Sequence, residues 1–552
     1  MLSRTPAPTW ALLAVALFGG AVAVGQEPAL DAALADISPS EIRADMRFLS
    51  DDLLEGRETG TRGYQLAATY VASQFEGAGL KPAGDGDTFF QDVHFRKLTL
   101  DASRSGFTVT QGGAAVQLGL FKDFILYSDP ARPDADVKAP LAFVGFGITA
   151  PEQGYDDYKG VNVKGKIVVA LQGAPSFQVA VKAHYSAGWL KRLNAVKHGA
   201  VGIVLIWGPK YEAMFPFPRF AEELQKPVLR WVDAQGQLND YFPELRAVAT
   251  VNMAGARVLF KASGHDADAE VAALQTGKSA SFDLGATAEI HTVSTPTELR
   301  SPNVVAKLEG SDPALKNQYV IYSAHLDHLG IGTVVNGDSI YNGALDNASG
   351  IAAMLSIARS FSHANLKPRR SLIFLAVTAE EKGLLGSDYY AHHTTVPRES
   401  IVANINMDED VMLWPLRDIV ALGAEHSSLS AIVDRAAHRL NLGSSPDPAP
   451  DQVYFVRSDQ YSFVRQGIPS LALSAGFKSN DPAIHPEELS NRWDEERYHQ
   501  PGDDMQQPGL DFEAGAAYTR VAFLCGWFSA NEDARPKWNP GDFFGKVFGR
   551  AQ

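Results

Sequence analysis

Between residues 319 and 528 the chain alternates unbroken apolar runs with segments whose apolar positions recur every three or four residues. Runs of this kind read as strands buried on both faces, and the stripes as helices packed over them. Strands are predicted over 319–324, 371–378, 401–407 and 468–474, and helices over 348–361 and 512–528. The alternation predicts an α/β domain with a mostly parallel mixed sheet flanked by helices. Residues 39–80 read as helical: Ile42, Met46, Phe48 and Leu49 cluster in a first segment, and Leu66, Tyr70, Val71 and Phe75 form a stripe over 63–77. From about 135 to 280 the texture changes to short β-branched runs at 141–147, 166–171 and 201–206, with one helix near 188–198. That stretch predicts a small β-rich unit inserted into the chain.

Composition narrows the possibilities. A chain of 552 residues exceeds what one ordinary core supports, which agrees with two units. Its net charge of -15, with no Lys/Arg-rich run, argues against nucleic-acid binding and against an anionic membrane surface. Arg4, an apolar stretch from Trp10 to Val24 and small residues up to Gly25 fit an export signal, with no stable membrane insertion after cleavage. The alternative, an uncleaved anchor, needs a longer apolar run. The single cysteine, Cys525, lies in an apolar stretch and reads as a small core residue. An exported chain without a disulfide fits a bacterial periplasm or exterior.

The candidate chemistry falls just beyond the predicted strands. His325 and Asp327 follow the first, Glu380 and Glu381 the second, and Asp408 the third. Functional groups gather at the carboxyl ends of strands in open α/β sheets, a rule that scattered surface acids have no reason to obey. Asp346 and Asn347 open a helix, where a cap and a carboxylate reaching between two ions are both open readings. His499 sits in a turn-rich loop beside Tyr498, whose hydroxyl suits a developing oxyanion. His328 fits a hydrogen-bonded structural histidine as well as a ligand. Two imidazoles with three or more carboxylates form a hard-to-borderline donor set suited to zinc. Adjacent acids after a buried strand divide labour in a metallohydrolase, one ligating and one moving protons.

These stretches resemble the co-catalytic dizinc aminopeptidases of the leucyl-aminopeptidase and aminopeptidase Y type. The matching runs are Ala324-His325-Leu326-Asp327, Gly343-Ala344-Leu345-Asp346-Asn347, Thr378-Ala379-Glu380-Glu381, Asn406-Met407-Asp408 and Tyr498-His499. The resemblance implies two zinc ions per chain, one held by His325 and Asp408, the other by Glu381 and His499, with Asp346 bridging. It makes Glu380 the general base and Asp327 the partner of His325. Gly145-Phe146-Gly147-Ile148 and Tyr155-Asp156-Asp157-Tyr158 resemble a protease-associated domain. The implied division is a signal over 1–25, an N-terminal part of the peptidase domain over 26–135, the inserted domain over 136–282, the zinc peptidase domain over 283–535 and a tail over 536–552. The implied activity is removal of N-terminal residues from peptides. A carboxypeptidase, a glutaminyl-cyclase-like enzyme on the same fold and a non-catalytic binding protein are the alternatives. Gln460 stands where the family often has histidine.

Overall fold

A computed structural model describes residues 20–278, 280–410 and 412–549, so most of the expected export segment lies outside the described residues. The strands Tyr319–His325, Ser371–Val377 and Ile401–Met407 are buried at every position. Tyr319–His325 pairs in parallel with both of the others, and Ile401–Met407 continues in parallel to Ser470–Ala475. Antiparallel strands close both sides, Ser281–Leu308 on Ser371–Val377 and Asp418–Leu422 on Ser470–Ala475. The result is the mixed, largely parallel sheet expected from the alternation.

Complete burial follows from helices over both faces. Ser349–His363 packs between Pro39–Leu49 and Phe512–Asn531, and Phe361 stacks on Phe523 with ring centres 4.3 Å apart. Asp511 starts the last helix by accepting the backbone N–H groups of Glu513 and Ala514. Cys525 lies buried on it. Among the described residues no helix is long and apolar enough to cross a membrane.

The 28-residue strand Ser281–Leu308 ties the molecule together. Its end joins the central sheet, whereas its beginning pairs with Asp134–Val144 and Gly106–Gln111 in a second sheet. There Ile167–Leu171, Gly202–Ile206 and Ala247–Val251 run parallel. Parallel strands need crossovers and cover on their faces. Accordingly this unit holds Val179–Ser186, Gly188–Lys197, Met253–Phe260 and Ala267–Gln275 as helices, more than the single one expected. Phe107 and Val109 already pack into its core, which therefore begins before residue 136. The tail also has structure: Phe543–Val547 is helical, with Phe544 buried against Phe455 and Tyr461.

Candidate metal centre

The ends of the buried strands set the position of each donor. His325 is the last residue of its strand, and Asp408 follows Met407 directly. The chain then turns sharply. Ala379, Glu409 and His499 all take positive φ, of 56°, 53° and 56°. Left-handed backbone at residues with a side chain is unfavourable and concentrates where a fixed geometry is required. Gly343 has φ 61°, and a Cβ there would lie 2.2 Å from the Asp346 carbonyl oxygen, so this approach admits only glycine.

Two donor groups result, His325 with Asp346 and Asp408, and His328 with Asp346 and Glu381; in each, one donor atom per residue lies within 4.8 Å of the others. His325 Nε2 is 2.9 Å from Asp408 Oδ1 and 3.1 Å from Asp346 Oδ1. His499 Nε2 is 3.3 Å from Asp346 Oδ2 and 3.2 Å from Glu381 Oε2. Asp346 thus offers one oxygen to each imidazole, the disposition of a bridging carboxylate. All five expected ligand positions converge. His328, left open in the sequence, joins them with Nδ1 2.7 Å from Glu381 Oε1. These two buried atoms meet without the alignment of a hydrogen bond. A buried imidazole nitrogen and a carboxylate oxygen left without partners are costly, and both are cation donors. The donor set therefore fits a pair of divalent ions that prefer nitrogen and oxygen ligands.

The electrostatics agree with that fit. Burial works against the charged forms of His325 and His499, yet the surrounding carboxylates hold both well above the ordinary imidazole range. Glu380 is pushed well above the carboxylate range by burial, with Asp408, Glu381 and Asp459 adding to the effect and His325 opposing it. Such a carboxyl is suited to holding and releasing a proton.

A second layer of contacts orients the donors. His325 Nδ1 lies 3.1 Å from the backbone oxygen of Asp327, so the expected partnership runs through the main chain. The Asp327 carboxylate accepts instead from the Glu380 N–H at 3.1 Å and from Thr59 Oγ1 at 3.0 Å. Burial raises its pKa to about 6. Asp503 accepts the N–H groups of Leu345 and Asp346 at 3.0 Å each. Arg57, only 1% exposed, donates to the carbonyls of Leu326 and Gly343. The sequence pattern marks neither Asp503 nor Arg57 as functional. Each acts on main-chain atoms more than 150 residues away in sequence, and local pattern carries no signal of that. Tyr498 stacks on His499 at 3.9 Å. Gln460 takes a hydrogen bond from Asn406 Nδ2 and donates to the Phe455 carbonyl, holding the loop beside Asp408. A cavity of about 1530 Å³ opens over His325, Asp346, Glu380, Asp408, Tyr498 and His499 and extends to the inserted unit.

The mixed α/β sheet thus carries two linked donor groups at its carboxyl edge. Residues 303–522 match the model of peptidase family M28. A probable leucine aminopeptidase 2 of Aspergillus oryzae is 28% identical over 43% of this chain and 46% of its own length. Aminopeptidase Y of Saccharomyces cerevisiae is 27% identical over 39% of this chain and 36% of its own. The alignments thus span less than half of each relative. The solved aminopeptidase from Aneurinibacillus sp. strain AM-1 shares the fold, with TM-score 0.52, 20% identity, and coverage of 93% of this chain and 99% of that one.

Proposed function

We propose that the protein is an exported zinc-dependent aminopeptidase that hydrolyses N-terminal residues from peptides. The observation that carries this reading is Glu380, tethered through its N–H to Asp327 and facing the cavity beside two donor groups joined by Asp346. His325 and Asp408 would hold one zinc ion, Glu381 and His499 the other, and Asp346 both. When bound, the ions supply Lewis acidity that polarises the peptide carbonyl and acidifies water.

The chain's own groups do the rest. Glu380 takes a proton from the attacking water and returns it to the leaving amine. Asp327 fixes the position of Glu380 and, through its backbone oxygen, the orientation of His325. Tyr498 donates its hydroxyl proton as a hydrogen bond to the developing oxyanion. Glu409 lines the cavity directly after Asp408, where its carboxyl oxygen can accept a hydrogen bond from the substrate's α-amine. Export rests on the apolar stretch preceding Gly25.

The test is hydrolysis of a panel of amino-acid anilides by the zinc-loaded protein. Turnover that a chelator abolishes and added zinc restores is expected. Peptides blocked at the N-terminus should resist, whereas those blocked at the C-terminus should still be cut. The reverse pattern would make the protein a carboxypeptidase.

A further inference from the structure

Assigning one ion to Glu381, His499 and Asp346 leaves His328 without a task, although its donor atom belongs to the same group. The ring is fully buried, and neither of its nitrogens has a hydrogen-bond partner. Nδ1 lies 2.7 Å from Glu381 Oε1 and 3.8 Å from Asp346 Oδ2. His499 reaches the same two carboxylates, with Nε2 3.2 Å from Glu381 Oε2 and 3.3 Å from Asp346 Oδ2. One imidazole thus meets each oxygen of Glu381. The two rings stand 5.9 Å apart, their planes 73° from parallel.

These spacings suit a shared ion. Donors held at about 2.0–2.2 Å from a tetrahedral zinc lie about 3.3–3.6 Å from one another. The four contacts, from 2.7 to 3.8 Å, bracket that spacing. The fold also fixes the ring in place. The His328 N–H donates to the Arg57 carbonyl at 3.2 Å, and a Cβ on Gly343 would lie 2.6 Å from His328 Cγ. The absence of a side chain at Gly343 therefore makes room for the imidazole beside the segment bearing Asp346. His325, Asp408 and His499 line the cavity, whereas His328 does not.

We infer that His328 is a fourth protein donor to the second ion, acting through Nδ1 alongside Glu381, His499 and Asp346. That site is then closed, as four-donor structural zinc sites are. The site of His325, Asp346 and Asp408 has three protein donors and faces the cavity, the pattern of a centre that keeps an open position. The inference rests on the zinc centre of the proposed function and not on its peptide chemistry.

Crystals of the zinc-loaded wild-type protein, with anomalous maps at the zinc edge, read the contact directly. His328 Nδ1 should lie about 2.0–2.1 Å from the second ion. A separation beyond about 3 Å, which exceeds any zinc–nitrogen bond, overturns the inference. In solution, competition with a zinc chelator measures the affinity of each site in wild type and in His328→Asn. The asparagine amide can still donate a hydrogen bond to Glu381, so a role as an outer contact would survive the change. Loss of a donor should instead lower the affinity of one ion by more than the roughly 10- to 100-fold of an outer contact. A loss of about 100-fold or less overturns the inference. Neither measurement needs turnover. If anilides are not cleaved but His328 binds the ion, the aminopeptidase reading fails and the fourth donor stands. Cleavage by a protein whose His328 is unligated keeps that reading and removes the fourth donor.

Discussion

The two walls of the cleft are built differently. On the metal side, His325, Glu380, Glu381 and Asp408 project from the ends of strands buried on both faces; Asp327 holds His325 and Glu380, and Asp503 holds the segment bearing Asp346. On the inserted side, Trp207, Tyr211 and Arg219 come from a unit with its own core. That unit is joined to the rest by the strand Ser281–Leu308 and by contacts with the C-terminal helix Phe543–Val547. The first wall is as rigid as the sheet behind it. The second is held by packing between units, so its position depends on interactions that conditions can change. The proposed chemistry draws on the first wall alone, and substitutions on the two should therefore differ in effect.

The sharpest separation is at Glu380. Replacing it with glutamine keeps the shape and removes the proton carrier, so kcat should fall about 10²- to 10⁴-fold. Zinc content, measured by elemental analysis, should stay at two per chain, because Glu380 is not among the donors. Substitutions at Trp207 or Arg219, on the inserted wall, should leave that chemistry in place. A near-normal rate in the Glu380→Gln protein would end the division of labour between the adjacent acids.

The inserted wall is the one that acid should loosen. His184 is 4% exposed and enclosed by Tyr185, Trp189, Phe543 and Phe548 at ring-centre distances of 4.9, 6.0, 5.4 and 5.3 Å. Burial lowers its pKa from 6.5 to about 4. The unfolded chain therefore takes up this proton near pH 6.5, and the folded chain only near pH 4. Between those values the unfolded state binds more protons, so stability falls as pH drops through the window, by up to about 3 kcal/mol. Urea unfolding at matched zinc levels should show His184→Phe losing less stability than wild type from pH 6.5 to 4. Parallel curves would remove His184 from the account.

The same contrast governs what the sequence reveals. A strand buried on both faces is a continuous apolar run, so 319–324 and 401–407 are legible in the sequence, and the residues after them stand out as candidate donors. Short helices such as Val179–Ser186, packed against a neighbouring unit, have weak periodicity and were hidden in a stretch that looked like β structure. The loop residues Thr59, Arg57 and Asp503 act on atoms distant in sequence, and only the folded chain brings them to the centre. His328 is ambiguous in the sequence for the same reason: Glu381, which it meets, lies 53 residues away. Gln460, legible as a departure from the family pattern, acquires a role in the fold by bonding Asn406 and Phe455.

Asp503 gives the finest test of the rigid wall, because it touches no donor side chain. Its carboxylate oxygens receive the N–H groups of Leu345 and Asp346, and Gln507 Nε2 donates to Oδ1 at 2.7 Å. Its own carbonyl accepts the Ala344 N–H at 3.0 Å. The segment bearing Asp346 is therefore aimed from behind by one fully buried side chain. In Asp503→Asn an amide N–H₂ replaces one acceptor. Either a backbone N–H loses its partner or the Gln507 contact becomes donor against donor. Loss of such an orienting contact typically weakens metal binding about 10- to 100-fold. Competition with a zinc chelator should show that loss, and turnover should recover when zinc is raised. If affinity is unchanged, the strand ends alone position Asp346, and the metal wall needs no support from the 503 loop.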